Sequence, residues 1–194
     1  MKNFIKLTAI ILFSIFLMSA CSKSNANTDK PTANAENVAK TNLTNPQIEA
    51  AQKLIEKSPN ETKGYTQLAV AYIKQARETG DFSLNSKAET AIEKALEVDE
   101  KDISARKLKA SLHLTFHRFP EALEAGKKLQ AEFPNDEFVY GVLTDANVEL
   151  GNYKEAVEAA QKMVDLKPNM SSYARVAHLR SLHGDHNGAV EMYK

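Results

Sequence analysis

The feature that most constrains this chain is a lattice of alanines. Ala88, Ala122, Ala156 and Ala189 recur at intervals of 34, 34 and 33 residues. A second row, Glu100, Pro134 and Pro168, steps by 34 and 34. Two independent rows with one period mean an internal repeat. Its units cannot bury an apolar face alone and must stack on one another. Each period holds two helix-length amphipathic segments, aromatics are only 7% of the chain, and β-branched runs are sparse. The expectation is an all-α fold.

The clearest unit shows how each period is built. Tyr140, Leu143 and Leu150 share one helical face, and Gly151-Asn152 then breaks the helix in a tight turn. Ala156, Ala160 and Met163 mark the inner face of a second helix, which Pro168 ends. This pattern resembles the tetratricopeptide repeat (TPR), a helix–turn–helix of 34 residues. In that family small residues let the two helices approach closely and large ones fill the space between them. Tyr140, Leu143, Thr144, Ala156, Ala160, Met163 and Pro168 match its pattern. So do Tyr173, Val176, Ala177, Ala189 and Tyr193, around a Gly184-Asp185 turn, in the next unit. In the first unit Tyr65, Leu68, Ala69, Tyr72, Ala88, Ile92 and Ala95 match, with Glu100 in place of proline. The resemblance implies a TPR-type α-solenoid of about four repeats, at 61–101, 102–135, 136–169 and an incomplete 170–194. Before them 46–60 reads as one amphipathic helix, with Ile48, Ala51, Leu54 and Ile55 on one side.

Two departures stand out. The first unit carries seven extra residues around Glu78-Thr79-Gly80-Asp81-Phe82. A longer turn at the edge of the solenoid is expected, the alternative being a protrusion built on Phe82 and Leu84 that contacts a partner. In the second unit, counting back from Pro134 puts Arg106 and Lys109 where apolar residues belong. Leu108, Leu112 and Phe119 make a better stripe, which predicts a one-residue slip of that helix. Pro120 suits the first turn of the helix that follows. The sequence stops at Lys194 inside a second helix. The expectation is a chain that continues further, the alternatives being a frayed last unit or one completed by a partner.

The N-terminus reads as an address. Lys2 and Lys6 precede an apolar run from Leu7 to Met18, then the small residues Ser19 and Ala20. This is the layout of a secretory signal peptide over 1–20, too short to span a bilayer. Cys21, the chain's single cysteine, follows directly. Met18-Ser19-Ala20-Cys21 resembles the lipobox of bacterial lipoproteins, although Met18 stands where Leu is commonest. The resemblance implies a diacylglyceryl thioether on Cys21 and cleavage after Ala20. Two or more acyl chains would anchor the chain stably. An uncleaved helical anchor and an ordinary secreted product are the alternatives. Ser22 follows the cysteine, as in similar lipoproteins sorted to the outer membrane. The expected location is the bacterial cell envelope, lipid-anchored, with the periplasmic face of the outer membrane favoured. From Ser22 to Asn45 the chain is Ser, Asn, Thr, Ala and Lys with almost no large apolar residue. The 21–45 segment therefore reads as a lipidated cysteine followed by a disordered tether. As a flexible coil its ends would lie about 25–30 Å apart.

Function is less legible. Without residues 1–20 the net charge falls from zero to about −2, so the basic footprint of a nucleic-acid binder is absent. His113 and His117 stand one helical turn apart, without the glutamate of a zinc-protease motif. His178, His183 and His186 are split by Gly184. No catalytic residue, metal or cofactor is expected. In proteins similar to this one the first helices of the repeats line a concave groove. Carried over, the groove residues are Phe138, Gly141, Asp145, Val148, Glu149, Ser171, Ala174 and His178, with Lys63, Thr66, Val70, Ile73 and Lys74 in the first unit. Lysines at one end and carboxylates at the other suit an extended or helical peptide. The reading is a membrane-tethered scaffold for a protein or peptide partner. The alternative is the docking module of a longer envelope enzyme or assembly factor.

Overall fold

A computed structural model of the chain describes residues 45–193. The expected signal peptide (1–20), Cys21, the expected tether up to Thr44, and Lys194 lie outside the described residues. Among the described residues nine helices and no strand are found. A lone helix, α1 (Pro46–Lys57), is followed by four pairs: α2 (Thr62–Thr79) with α3 (Leu84–Val98), and α4 (Ile103–Thr115) with α5 (Phe119–Glu132). Then come α6 (Glu137–Glu149) with α7 (Tyr153–Leu166), and α8 (Met170–Leu182) with α9 (His186–Glu191).

Local chemistry sets these bounds. Asn45, Asp102 and Asp136 accept hydrogen bonds from the amides of Gln47, Ala105 and Phe138, at 2.9, 2.7 and 3.0 Å. Each satisfies a donor that the helix itself leaves unpaired. Asn169 and Ser172 form a reciprocal capping box at 3.0 and 2.9 Å. Pro120 lies in the first turn of α5, where its missing N–H costs nothing.

Consecutive helices pack in chain order, and the first helices also touch across units, α2 on α4, α4 on α6 and α6 on α8. Each unit buries one small residue from each of its helices: Ala69 and Ala88, Ala110 and Ala122, Thr144 and Ala156, Ala177 and Ala189, all 8% exposed or less. Helix α1 packs on α2 as α3 packs on α4, so it stands where a second helix of a preceding unit would. Its close approach requires Gly64, since a Cβ there would lie 2.7 Å from Ile55 Cγ1 and 3.0 Å from the Ile55 amide nitrogen.

The structure differs from the sequence expectations at three places. The seven extra residues of the first unit do not make a long turn. Five lengthen α2 to 18 residues against 13 in α4, α6 and α8; the turn and α3 take one each. Leu84 is buried and only Phe82, 70% exposed, faces solvent. The slip in the second unit does not occur either. Helix α4 begins 34 residues before α6 and has its length, and Ala110 is buried as Thr144 is. Arg106 and Lys109 do stand at the positions of Tyr140 and Leu143, lining a small cavity with Ala125 and Leu129 of α5. The aliphatic stem fills space and the guanidinium ends on Glu132, at 2.5 and 2.8 Å. Leu108 and Leu112, joined by Phe116 and not by the expected Phe119, pack instead against the α2–α3 core of the preceding unit; Phe119 opens α5. Lastly, Leu150 is exposed rather than sharing the buried face of Tyr140 and Leu143.

The turn that closes each first helix uses one residue in the left-handed region. Gly80, Gly151 and Gly184 adopt φ of 72°, 75° and 83°, and His117 is forced to 56° in the second unit. A Cβ there is strained. The His117→Gly chain should therefore be more stable, by about 0.5–1 kcal/mol after losing the edge contact of His117 with Phe119; urea unfolding measures it. Conversely, Ala122→Leu overpacks a fully buried site and should cost about 1–3 kcal/mol in the same titration.

Candidate functional site

The first helices of the units present one continuous lining. At its N-terminal end lies a cavity of about 610 Å³ formed by Thr66, Gln67, Val70, Ala71 and Lys74 of α2, Ser104, Lys107 and Leu108 of α4, Phe138 of α6, and Gln47 and Ala50 of α1. Its floor is apolar: Val70 and Phe138 remain 51% and 40% exposed. Its cations are already engaged. Lys74 donates to Gln47 at 3.3 Å and pairs with Glu78 at 3.8 Å. Lys107 pairs with Asp136 and sits 5.7 Å from the centroid of the Phe138 ring, a cation–π contact that fixes the ring.

Phe138 also borders a second recess of about 170 Å³, shared with Ser111, Leu114, Gly141, Asp145, Ser171 and Arg175. A third, of about 100 Å³, is formed by Thr144, Asp145, Val148, Glu149, Arg175 and His178. Arg175 and Asp145 are common to both. Arg175 Nε and Nη2 donate to the two Asp145 oxygens at 2.8 and 2.6 Å, and Nη1 donates to Ser171 Oγ at 2.7 Å. This fork-on-carboxylate geometry is the strong form of the pair. The guanidinium lies over Gly141, where a Cβ would meet its carbon at 3.4 Å, in ordinary contact.

The structure thus brings Thr66, Val70, Lys74 and Phe138 into the large cavity. Phe138 again, with Gly141, Asp145 and Ser171, borders the middle recess, and Val148, Glu149 and His178 the last. Ala174 is half-buried, Lys63 is exposed, and neither borders these recesses. Ile73 packs into the α2–α3 core instead. The expected split between a basic and an acidic end is weakened, since Asp145 is neutralised by Arg175 while Glu149 stays exposed. Sequence reasoning missed Ser104, Lys107 and Leu108. Subtracting 34 from Phe138 and Gly141 reaches Ser104 and Lys107; distrust of the register hid them. Arg175 had no such signal, because its partner Asp145 stands 30 residues away in another unit.

Among the described residues no group of three or more His, Cys, Asp or Glu side chains converges on a metal position. His117 lies outside the helix of His113, and His183 Nδ1 lies 2.8 Å from the Leu179 carbonyl oxygen. His113 is held below the ordinary histidine value, first by burial and then by Lys109 and Arg118. The unfolded chain takes a proton near pH 6.5, where the folded chain resists it. Stability therefore rises with pH below that point and is fully present above it. Acidification from about pH 7.5 to 5.5 should lower the urea midpoint, and His113→Gln should remove part of that slope.

No family model and no curated protein sequence matches the chain. Solved structures do. MamA (residues 41 to the end) from Desulfovibrio magneticus RS-1 is 22% identical, with 75% of this chain and 79% of that one covered and a TM-score of 0.59. A thermophilic TPR protein of Thermus thermophilus is 23% identical over 68% of this chain and 70% of its own, at 0.59. A tetratricopeptide repeat protein from Parabacteroides merdae is 20% identical over 75% of this chain and 55% of its own, at 0.62. At these identities the likeness is one of fold, and the fold is that of a TPR-type α-solenoid.

Proposed function

We propose that this chain is a membrane-tethered TPR scaffold that binds a protein or peptide segment in its concave groove and works by binding rather than catalysis. The observation that carries the reading is the cavity of about 610 Å³ between α1, α2, α4 and α6. It is large enough for one or two bulky side chains, its floor is apolar, and its charged neighbours are already paired with one another. Such a site selects a partner by an apolar anchor residue, with polar contacts at the rim. The two smaller recesses beyond Phe138 extend the track along which an extended or helical segment could lie. The tethering half of the reading, and with it a location in a bacterial envelope, rests on the lipobox resemblance at Cys21.

Each half has its own test. A photo-crosslinking residue introduced at Val70 or Phe138 of the full chain in its native envelope should yield one discrete protein adduct. The same residue at Val157, 47% exposed on α7, should not. Combining Val70→Ser with Phe138→Ala should cut binding of that partner about tenfold, the loss of about 1.4 kcal/mol of apolar contact. Equal adducts from Val157 would remove the groove from consideration. For the tether, mass spectrometry should find a diacylglyceryl group on an N-terminal Cys21, and Cys21→Ala should abolish both the lipid and the cleavage after Ala20.

A further inference from the structure

The first unit carries a feature that the groove does not use. Helix α2 runs five residues past the length of the other first helices and ends in the turn Gly80–Ser83, at whose tip Phe82 is 70% exposed. The turn is not slack. The Asp81 amide donates to Thr79 Oγ1 at 3.2 Å, and the Ser83 amide and hydroxyl donate to Asp81 Oδ1 at 3.1 and 2.6 Å. Side chains on both sides of Phe82 are thus spent on fixing the backbone that presents it.

The place of this tip relative to the chain's entry is the second observation. Helix α1 is antiparallel to α2 across a four-residue turn, and Lys74 donates to Gln47 in the first turn of α1 at 3.3 Å. Asn45, the first described residue and the entry to the fold, therefore lies near Lys74, on the edge where Phe82 projects. The α2 extension carries the tip roughly 7 Å further out than that entry, at 1.5 Å per helical residue. Exposed cations flank it: Arg77 on α2 and Lys87 on α3, whose Nζ lies 5.9 Å from the Tyr72 ring centroid. The two carboxylates nearby are exposed but engaged, Asp81 with Ser83 and Glu78 with Lys74.

We infer that the Gly80–Ser83 turn is a membrane-contact tip: Phe82 enters the headgroup layer of the bilayer that holds the chain, with Arg77 and Lys87 at the level of the lipid phosphates. The inference rests on the reading that Cys21 anchors the chain to a membrane. One aromatic would not hold a free protein on lipid, but an anchored one already has a high local concentration of bilayer. The contact's role is orientation. It turns the edge with the first-helix C-termini toward the lipid and leaves the groove open sideways.

The chain has no tryptophan, so one introduced residue reports alone. The full chain bearing Phe82→Trp, extracted from membranes and reconstituted into phosphatidylethanolamine–phosphatidylglycerol vesicles, should emit to the blue of the same protein produced from Ser22 onward, without signal run or lipid, in buffer. Brominated acyl chains should quench it several-fold more strongly than Met170→Trp, which is at the opposite edge and 71% exposed. Equal weak quenching at both positions, with the protein still on the vesicles, overturns the inference alone. Mass spectrometry of the N-terminal peptide separates the other failure. A Cys21 without lipid removes the anchoring reading, and this inference with it. Shielding of Phe82→Trp only when envelope proteins are present would assign the tip to a protein and likewise overturn it.

Discussion

Everything in this fold depends on how closely the two helices of each unit approach. One small residue from each, Ala110 and Ala122 or Thr144 and Ala156, is buried almost completely, so no side chain of length holds the backbones apart. Close packing of this kind makes volume the controlling variable, since an interior at crystal density cannot absorb an extra isobutyl group. Thr144 is the instructive member. It is larger than alanine and polar, yet its hydroxyl donates to the Tyr140 carbonyl one turn back at 2.8 Å, which satisfies it inside its own helix. The small-residue contact sets the tilt within a unit and, repeated, puts all the first helices on one side.

Stacking between units is set by a second device, a row of polar contacts at the N-terminal ends of the first helices. Asp102 caps α4 and also accepts from Thr62 of α2 at 2.7 Å. Asp136 caps α6 and pairs with Lys107 of α4. Asn169 caps α8 and donates to Glu137 of α6 at 2.7 Å, a bond that holds the Glu137 carboxyl below its usual range, with Lys167 helping. Each cap residue thus closes its own helix and ties that helix to the unit before. Exposed polar pairs of this kind contribute little energy singly. Their effect is on register: they fix where each first helix stands, and with it the alignment of the groove residues.

What the sequence reveals of this fold follows from the same two devices. The alanine row is visible because the second-helix site of every unit is closely packed and holds alanine, at Ala88, Ala122, Ala156 and Ala189, so the period is written directly in the chain. The turn at Gly151 is visible for a related reason, as left-handed backbone favours glycine. His117 occupies the equivalent place and hides the turn, because nothing about histidine announces a positive φ. The false slip in α4 has a physical origin too. Leu108, Leu112 and Phe116 form a true apolar stripe, but it serves the contact with the preceding unit. The intra-unit positions are filled by Arg106 and Lys109, whose stems act as apolar residues while their heads stay wet. A pattern of residue types cannot separate two apolar faces of one helix. The insertion is hidden because Gly80 and Asp81 look like a loop, whereas the helix runs to Thr79 and needs glycine only at the cap that follows.

The groove was half legible, and the missing half changes what it can recognise. Positions carried over from the repeat scheme name side chains but not their mutual engagement. Read one at a time, Lys74, Asp145 and Glu149 suggest a site that grips charges. In the folded chain Lys74, Lys107 and Asp145 are each committed, to Gln47 and Glu78, to Asp136, and to Arg175. A partner bringing its own charge would have to compete with these pairs, whereas a partner bringing an aromatic or branched side chain meets Val70, Leu108 and Phe138 without displacing any of them. Affinity on such a surface comes from a desolvated apolar anchor, and the surrounding paired charges exclude partners that lack one. Binding at the large cavity would depend only weakly on ionic strength, because the lysines that line it, Lys74 and Lys107, are already paired. On the proposed reading, the internal pairing of the groove, more than its composition, would determine the chemistry it accepts.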